Sequence, residues 1–194
     1  IPVPGTHGGS THVTHVYREL AKRHDVLLYC RIGSTEPNVL ARGLAVHPIL
    51  QKTLLPFSYA RVIGAVKQFR PDVIYERYSA FGLGPWLGQS LGIPSVLMTL
   101  DRDAADRSFR QSARIVATSN EFIPEEYRDK LRIVHWGVDI DHLAGPSPEP
   151  IRQRYAPNGE RIVLYTGSFP DWHGTDILVS VAKQWSGPPV VFLL

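Results

Sequence analysis

Three short stretches of this sequence carry residue types that could do chemistry, and each lies where a turn or strand end meets a helix. Pro4-Gly5-Thr6-His7-Gly8-Gly9-Ser10 leads into the first amphipathic stretch. Gly8 and Gly9 would let a ligand come close to the backbone, and amides at a helix start favour an anionic group. The same residues also suit a flexible turn plus a cap, with the Ser10 hydroxyl accepting a first-turn amide. In Thr166-Gly167-Ser168-Phe169-Pro170-Asp171-Trp172-His173-Gly174, Gly167 ends a strand, while His173 and Gly174 open a helix. That is the layout of a phosphate site, but it is neither a Walker loop nor G-x-G-x-x-G, and an ordinary strand-to-helix loop is the simpler reading. Tyr75-Glu76-Arg77-Tyr78-Ser79 follows apolar Val73-Ile74, at the carboxyl edge where open α/β sheets bind ligands. Glu76 and Arg77 read there either as substrate contacts or as charges paired with neighbours.

Other chemistries fit poorly. Asp101-Arg102-Asp103 has the D-x-D form of a metal site, yet acidic residues are common at helix starts and two carboxylates make a poor ligand set. His12 and His15 share a helix face without a third ligand, and none of the eight histidines has zinc-site spacing, so no metal is expected. No Ser–His–Asp grouping stands out. Cys30, the single cysteine, sits mid-strand as a small hydrophobe and cannot form an internal disulfide, which makes the cytoplasm the default compartment. A net charge of +3, with no basic cluster interleaved with aromatics, argues against nucleic-acid binding.

The elements that must position these residues alternate along the chain. Val13, Val16, Tyr17, Leu20 and Ala21 make an apolar stripe on a helix over 10–23. Strands follow at 26–30 and 44–49, then a helix carrying Tyr59, Val62, Ile63 and Val66 that Pro71 stops. Further strands are expected at 72–78, 95–100, 114–118 and 131–135, with helices near 85–91, 103–112 and 121–127. Strands apolar throughout, with helices between them, imply a parallel sheet covered on both faces. The fold class is therefore α/β with a Rossmann-like parallel sheet and the start of a second Rossmann-like domain. Prolines 146, 148, 150 and 157 with Gly159 mark a linker that carries a short helix near 151–155. A strand–helix–strand unit restarts at 161–165, 174–184 and 190–194, with Ile177, Leu178, Val181 and Ala182 expected to face inward. The domains are read as 1–142, a linker at 143–159, and 160–194. At 194 residues and about 150 per domain, this is one domain plus part of another. The absence of an initiator methionine, of a strand before the first glycine turn, and of anything after the strand ending at Leu194 all suggest a piece of a longer protein. No run of about 18 apolar residues is present, so no transmembrane helix is expected.

Several segments, in this order, resemble family 4 retaining glycosyltransferases of the GT-B fold. They are Gly8-Gly9-Ser10-Thr11-His12-Val13 with the helix ending Leu20-Ala21-Lys22-Arg23-His24-Asp25-Val26, then Arg70-Pro71-Asp72-Val73-Ile74-Tyr75-Glu76-Arg77-Tyr78, and Leu91-Gly92-Ile93-Pro94. Ala113-Arg114-Ile115-Val116-Ala117-Thr118-Ser119, Ile133-Val134-His135-Trp136-Gly137-Val138-Asp139 and Leu164-Tyr165-Thr166-Gly167-Ser168-Phe169 through Asp176 continue the series.

The resemblance implies an N-terminal domain that receives an acceptor and a C-terminal domain that holds a nucleotide-diphosphate sugar in an interdomain cleft. The sugar would pass to an acceptor hydroxyl with retention. The leaving diphosphate would help deprotonate the acceptor, so that no cofactor and no protein nucleophile is required. Gly8, Gly9, Gly167, Ser168 and Gly174 would then line the donor diphosphate. His173 would be the catalytic donor to phosphate, and His12, Glu76 and Arg77 would lie on the acceptor side. The acceptor would be a sugar or a lipid-linked acceptor; the scattered basic residues read either as weak peripheral membrane contact or, more simply, as a solvated helix face. Three departures stand out: Ser168 where relatives often carry Arg, Trp136 where Asn is common, and a short connection from Leu100 to Arg114. No glutamate follows Glu160, so the paired glutamates that grip the donor sugar lie beyond Leu194 or do not exist, and the piece alone is expected to be inactive. A sugar-nucleotide epimerase of similar fold, or a non-catalytic nucleotide-binding domain, is the alternative.

Overall fold

The structure is a computed structural model and describes residues 8–30, 39–41, 55–78, 82–100, 106–167, 169 and 173–194. Residues Ile1–Trp136 and Gly137–Leu194 form two compact units.

In the first unit, helix α1 (Gly8–Ala21) leads to β1 (Leu28–Cys30), which pairs in parallel with β2 (Val39–Ala41). Helix α2 (Leu55–Phe69) precedes β3 (Ile74–Arg77), α3 (Leu83–Leu91), β4 (Ser95–Met98), α4 (Asp106–Gln111), β5 (Arg114–Ala117) and β6 (Leu131–Ile133). Strands β3 to β6 form one sheet in that order, every neighbour parallel. The expected parallel α/β arrangement is therefore present. Leu97, Phe109, Ile115, Ala117 and Ile123 form its core, with Tyr78, Tyr127 and Leu131 packed against it.

Helix α3 is set down on the sheet by glycines. Gly82 and Gly92 take the left-handed conformation at its two ends (φ 53° and 69°), where a Cβ would be strained. A Cβ on Gly88 would lie 2.6 Å from the Ile93 carbonyl oxygen, so only glycine lets the helix approach the chain leading into β4 this closely. The short helix α4 is held from outside. The Tyr127 hydroxyl donates to Asp106 at 2.6 Å, Arg110 pairs with the same carboxylate, and the Lys130 ammonium donates to the carbonyls of Phe109 and Arg110 at 3.3 and 3.1 Å. A carboxylate at the helix start and a cation on its last carbonyls both suit the helix dipole.

Several expectations need correction. Ser10 is not the cap of the first helix. It is the third helical residue, fully buried, and its carbonyl accepts a 2.8 Å bond from the Thr14 hydroxyl. The helix starts two residues earlier, so Gly8 and Gly9 form its first turn, and it ends at Ala21, with Arg23 and His24 turning back onto the Leu20 carbonyl. The helix expected at 121–127 is a 3-10 turn over Glu125–Lys130, started by Pro124, whose ring cannot supply an amide to a longer helix. Strand β2 was not anticipated, because three residues carry too little pattern. The strand expected at 44–49 lies outside the described residues.

In the second unit, α5 (Ile140–Leu143) and α6 (Glu149–Tyr155) precede β7 (Arg161–Leu164), α7 (Thr175–Gln184) and β8 (Val190–Leu193), with β7 and β8 parallel. The stripe of α7 does not all face inward: Ile177 and Val181 are 64% and 45% exposed. A pair of strands covers one side of a helix, and the rest of an apolar stripe stays in solvent.

The close approach at Gly88 sets a clear cost. Gly88→Ala is expected to lower stability by about 2 kcal/mol, the usual penalty for overpacking against atoms that cannot yield. Urea unfolding should show it as a fall in midpoint at unchanged slope, and an unchanged midpoint would contradict the packing described.

Candidate functional site

Strand β3 divides its charged residues between its two faces. Side chains alternate along a strand, so Ile74 and Glu76 share one face and Tyr75 and Arg77 the other. On the first face the Glu76 carboxylate accepts the backbone amide of Gly84, the second residue of α3. A Cβ on Gly84 would come within 2.8 Å of both the Glu76 carboxylate and its Cβ, so the helix start and the acid are fitted to one another. Glu76 thus supplies one of the acceptors that a helix N-terminus lacks.

On the second face Arg77 comes near His12 of α1. Burial, and then the positive charge of Arg77, hold the His12 imidazole below its ordinary pKa, so the neutral ring is favoured. The His12 ring also meets the Trp136 indole at right angles, with centroids 4.7 Å apart, while Trp136 stays 52% exposed. Burial pushes the Tyr75 phenol above its ordinary pKa, and Arg77 partly offsets this. Among the described residues, the buried Nε atoms of Arg77 and His12 (Nε in the guanidinium, Nε2 in the ring) have no hydrogen-bond partner. The structure therefore brings together His12 and Arg77, far apart in the chain, and adds Trp136. It turns Glu76 away from them.

At the first turn of α1, Gly8 is exposed, and a Cβ there would meet nothing within 4 Å. In the second unit, the hydroxyl of Tyr165, at the end of β7, lies 3.0 Å from His173 Nδ1, just ahead of α7. When the hydroxyl donates, the ring proton sits on Nε2. Gly174 takes the left-handed conformation (φ 66°) as the cap of α7, and its carbonyl accepts the amides of Ile177 and Leu178 at 3.1 and 3.2 Å. A Cβ on Gly167 would lie 3.1 Å from the Tyr165 hydroxyl, so the glycine makes room for that tyrosine. Asp176 adds a carboxylate to the first turn of α7. Ser168 lies outside the described residues, as do Asp101 and Asp103. Among the described residues, no three of His, Cys, Asp and Glu are grouped to hold a metal ion.

Trp136 and Tyr165, which contact His12 and His173, were not among the candidate residues read from the sequence. The available signal was an aromatic side chain in a polar stretch directly after a strand: His135-Trp136-Gly137 in one place, Tyr165-Thr166-Gly167 in the other.

No family model matches the sequence, and no curated protein matches it either. Solved structures do match in fold. The crystal structure of Acinetobacter baumannii MurG aligns with 97% of this chain and 55% of its own, at 15% identity and a TM-score of 0.59. A glycosyltransferase from Rickettsia africae aligns with 98% of this chain and 58% of its own, at 16% identity and a TM-score of 0.64. The chain therefore spans little more than half the length of each. The fold is α/β and Rossmann-like, with parallel sheets, and matches about half of each of these GT-B glycosyltransferase chains. No helix among the described residues is long and apolar enough to cross a membrane.

The lowered pKa of His12 has a sign that can be tested. As pH falls past the ordinary value of about 6.5, the unfolded chain takes up the proton first, so stability drops until the folded ring titrates as well. His12→Gln removes that difference. Between about pH 7.5 and about pH 5.5, the urea midpoint of the parent chain should fall further than that of the variant. Equal falls would contradict the environment described for His12.

Proposed function

We propose that this chain is the acceptor-side unit, and the opening of the donor-side unit, of a retaining glycosyltransferase that takes its sugar from a nucleotide-diphosphate donor. The observation that carries this reading is the fold likeness to the two structures above, which runs over nearly the whole chain. The His12–Arg77 pairing at a sheet's carboxyl edge, where open α/β sheets bind ligands, adds to it.

In this reading the sugar moves to an acceptor hydroxyl as the bond to the diphosphate breaks, and the departing diphosphate accepts the hydroxyl proton. The chain's own residues stabilise charge and fix orientation. The first amides of α7 have no intrahelical acceptor and favour an anionic group. His173, held through Nδ1 by Tyr165, would offer an Nε2 proton to the diphosphate. Gly167, Ser168 and Gly174 would keep bulk away from it. Gly8 and Gly9, in the first turn of α1, offer the same close backbone approach in the first unit. His12 and Arg77 would meet the acceptor, a sugar or lipid-linked acceptor, while Glu76 serves them by holding α3. Asp176 opposes an anion at α7, since like charges in one helical turn repel.

The test is a nitrogen-15 NMR titration of the chain with a panel of nucleoside diphosphates. The amides of Gly174, Thr175 and Asp176 should shift on binding. His173→Ala should weaken that binding by about tenfold, the loss of one charge-assisted hydrogen bond. Asp176→Asn should strengthen it by about threefold through relief of repulsion. If no diphosphate in the panel moves those amides, the reading fails.

A further inference from the structure

Among the described residues, no carboxylate pairs with the Arg77 guanidinium. Its Nε is buried and has no acceptor among the described residues. The carboxylate beside it in sequence, Glu76, points to the opposite face of β3 and is committed to Gly84. Tyr75, its neighbour on the same face, is a neutral phenol at ordinary pH, and burial pushes its pKa further up. His12 is kept neutral by burial and by Arg77 itself, so it neither adds positive charge nor balances it. A half-buried guanidinium in this position is completed by a ligand that brings negative charge, and its flat fork fits a carboxylate or phosphate best. Next to it, the His12 ring supports an indole whose surface is half exposed. Such a flat apolar face suits the C–H side of a sugar ring, and the unpartnered His12 Nε2 suits one of that ring's hydroxyls.

We propose that His12, Arg77 and Trp136 form a binding site for a sugar ring carrying an acidic substituent, either a carboxylate or a phosphate. Arg77 takes the acidic group, Trp136 the ring face, and His12 a ring hydroxyl. In the transferase reading, on which the role but not the binding rests, this ligand is the acceptor, so the acceptor is an acidic sugar rather than a neutral one.

The experiment titrates the whole nitrogen-15-labelled chain separately with glucose, glucuronate, glucose 6-phosphate and inorganic phosphate. It follows the Trp136 indole signal, assigned by its loss in Trp136→Ala, together with the His12 ring. At least one of the two charged sugars should shift both signals and bind about tenfold more tightly than glucose. If only one does so, the proposal stands and the acidic group is identified. Arg77→Gln should bring the charged sugars down to the level of glucose. Trp136→Ala, at an exposed position that leaves the fold intact, should weaken glucose and the charged sugars alike. Glucose binding as tightly as both charged sugars would overturn the proposal. So would inorganic phosphate moving the Trp136 indole as strongly as glucose 6-phosphate, or Arg77→Gln leaving the preference unchanged. The transferase reading is judged separately, by the nucleoside diphosphate titration at α7. A neutral acceptor with diphosphate binding intact would end this inference alone.

Discussion

The bond between the Glu76 carboxylate and the Gly84 amide fixes more than one helix end. Strand β3 has one face against α3, and the acid must be on that face to reach the helix. Alternation then sends Arg77 to the other face, toward His12 of α1. One pairing therefore decides which charged side chain of β3 binds the helix start and which lies on the opposite face, near His12. Had the chain carried the acid one position later, the cation and the helix start would share a face. The glycines around α3 belong to the same constraint. Gly84 leaves room for the acid, and Gly88 lets the helix settle onto the chain ahead of β4.

Beneath this edge lies a cluster of packed apolar side chains. Leu97 and Ile115 on adjacent strands are fully buried, and Phe109 reaches them from α4. A six-residue helix has little stability of its own, since nucleation is unfavourable and few bonds follow it. Here Tyr127 and Lys130, from the 3-10 turn, hold both of its ends. The second unit is built differently. Among its described residues only Ala156 is buried, and Ile177, Val181 and Trp185 remain exposed on and just beyond α7. Its organised part is local: Tyr165 on His173, and Gly174 capping the helix.

The parallel α/β order could be read from the sequence because apolar strands and helical stripes alternate with little ambiguity from Asp72 to Ala117. The start of α1 could not. A serine after two glycines has the look of a cap, but burial of Ser10 against the unit draws it into the helix, and Gly8 and Gly9 follow. Candidate site residues could be picked where chemistry and position coincide, as with Arg77 at a strand end. Trp136 could not be picked, because what singles it out is a contact with His12, more than a hundred positions away in the chain. Nor could spacing reveal that Glu76 is occupied, since that depends on where α3 begins.

The proposed ligand site depends on His12 of α1 lying against Trp136, just beyond β6, and near Arg77. Nuclear Overhauser contacts in the folded chain measure this directly. Strong cross-peaks between the His12 ring protons and the Trp136 indole, at a separation consistent with centroids 4.7 Å apart, are the predicted result. Their absence, with the His12 ring showing contacts only to its own helix, would contradict the account.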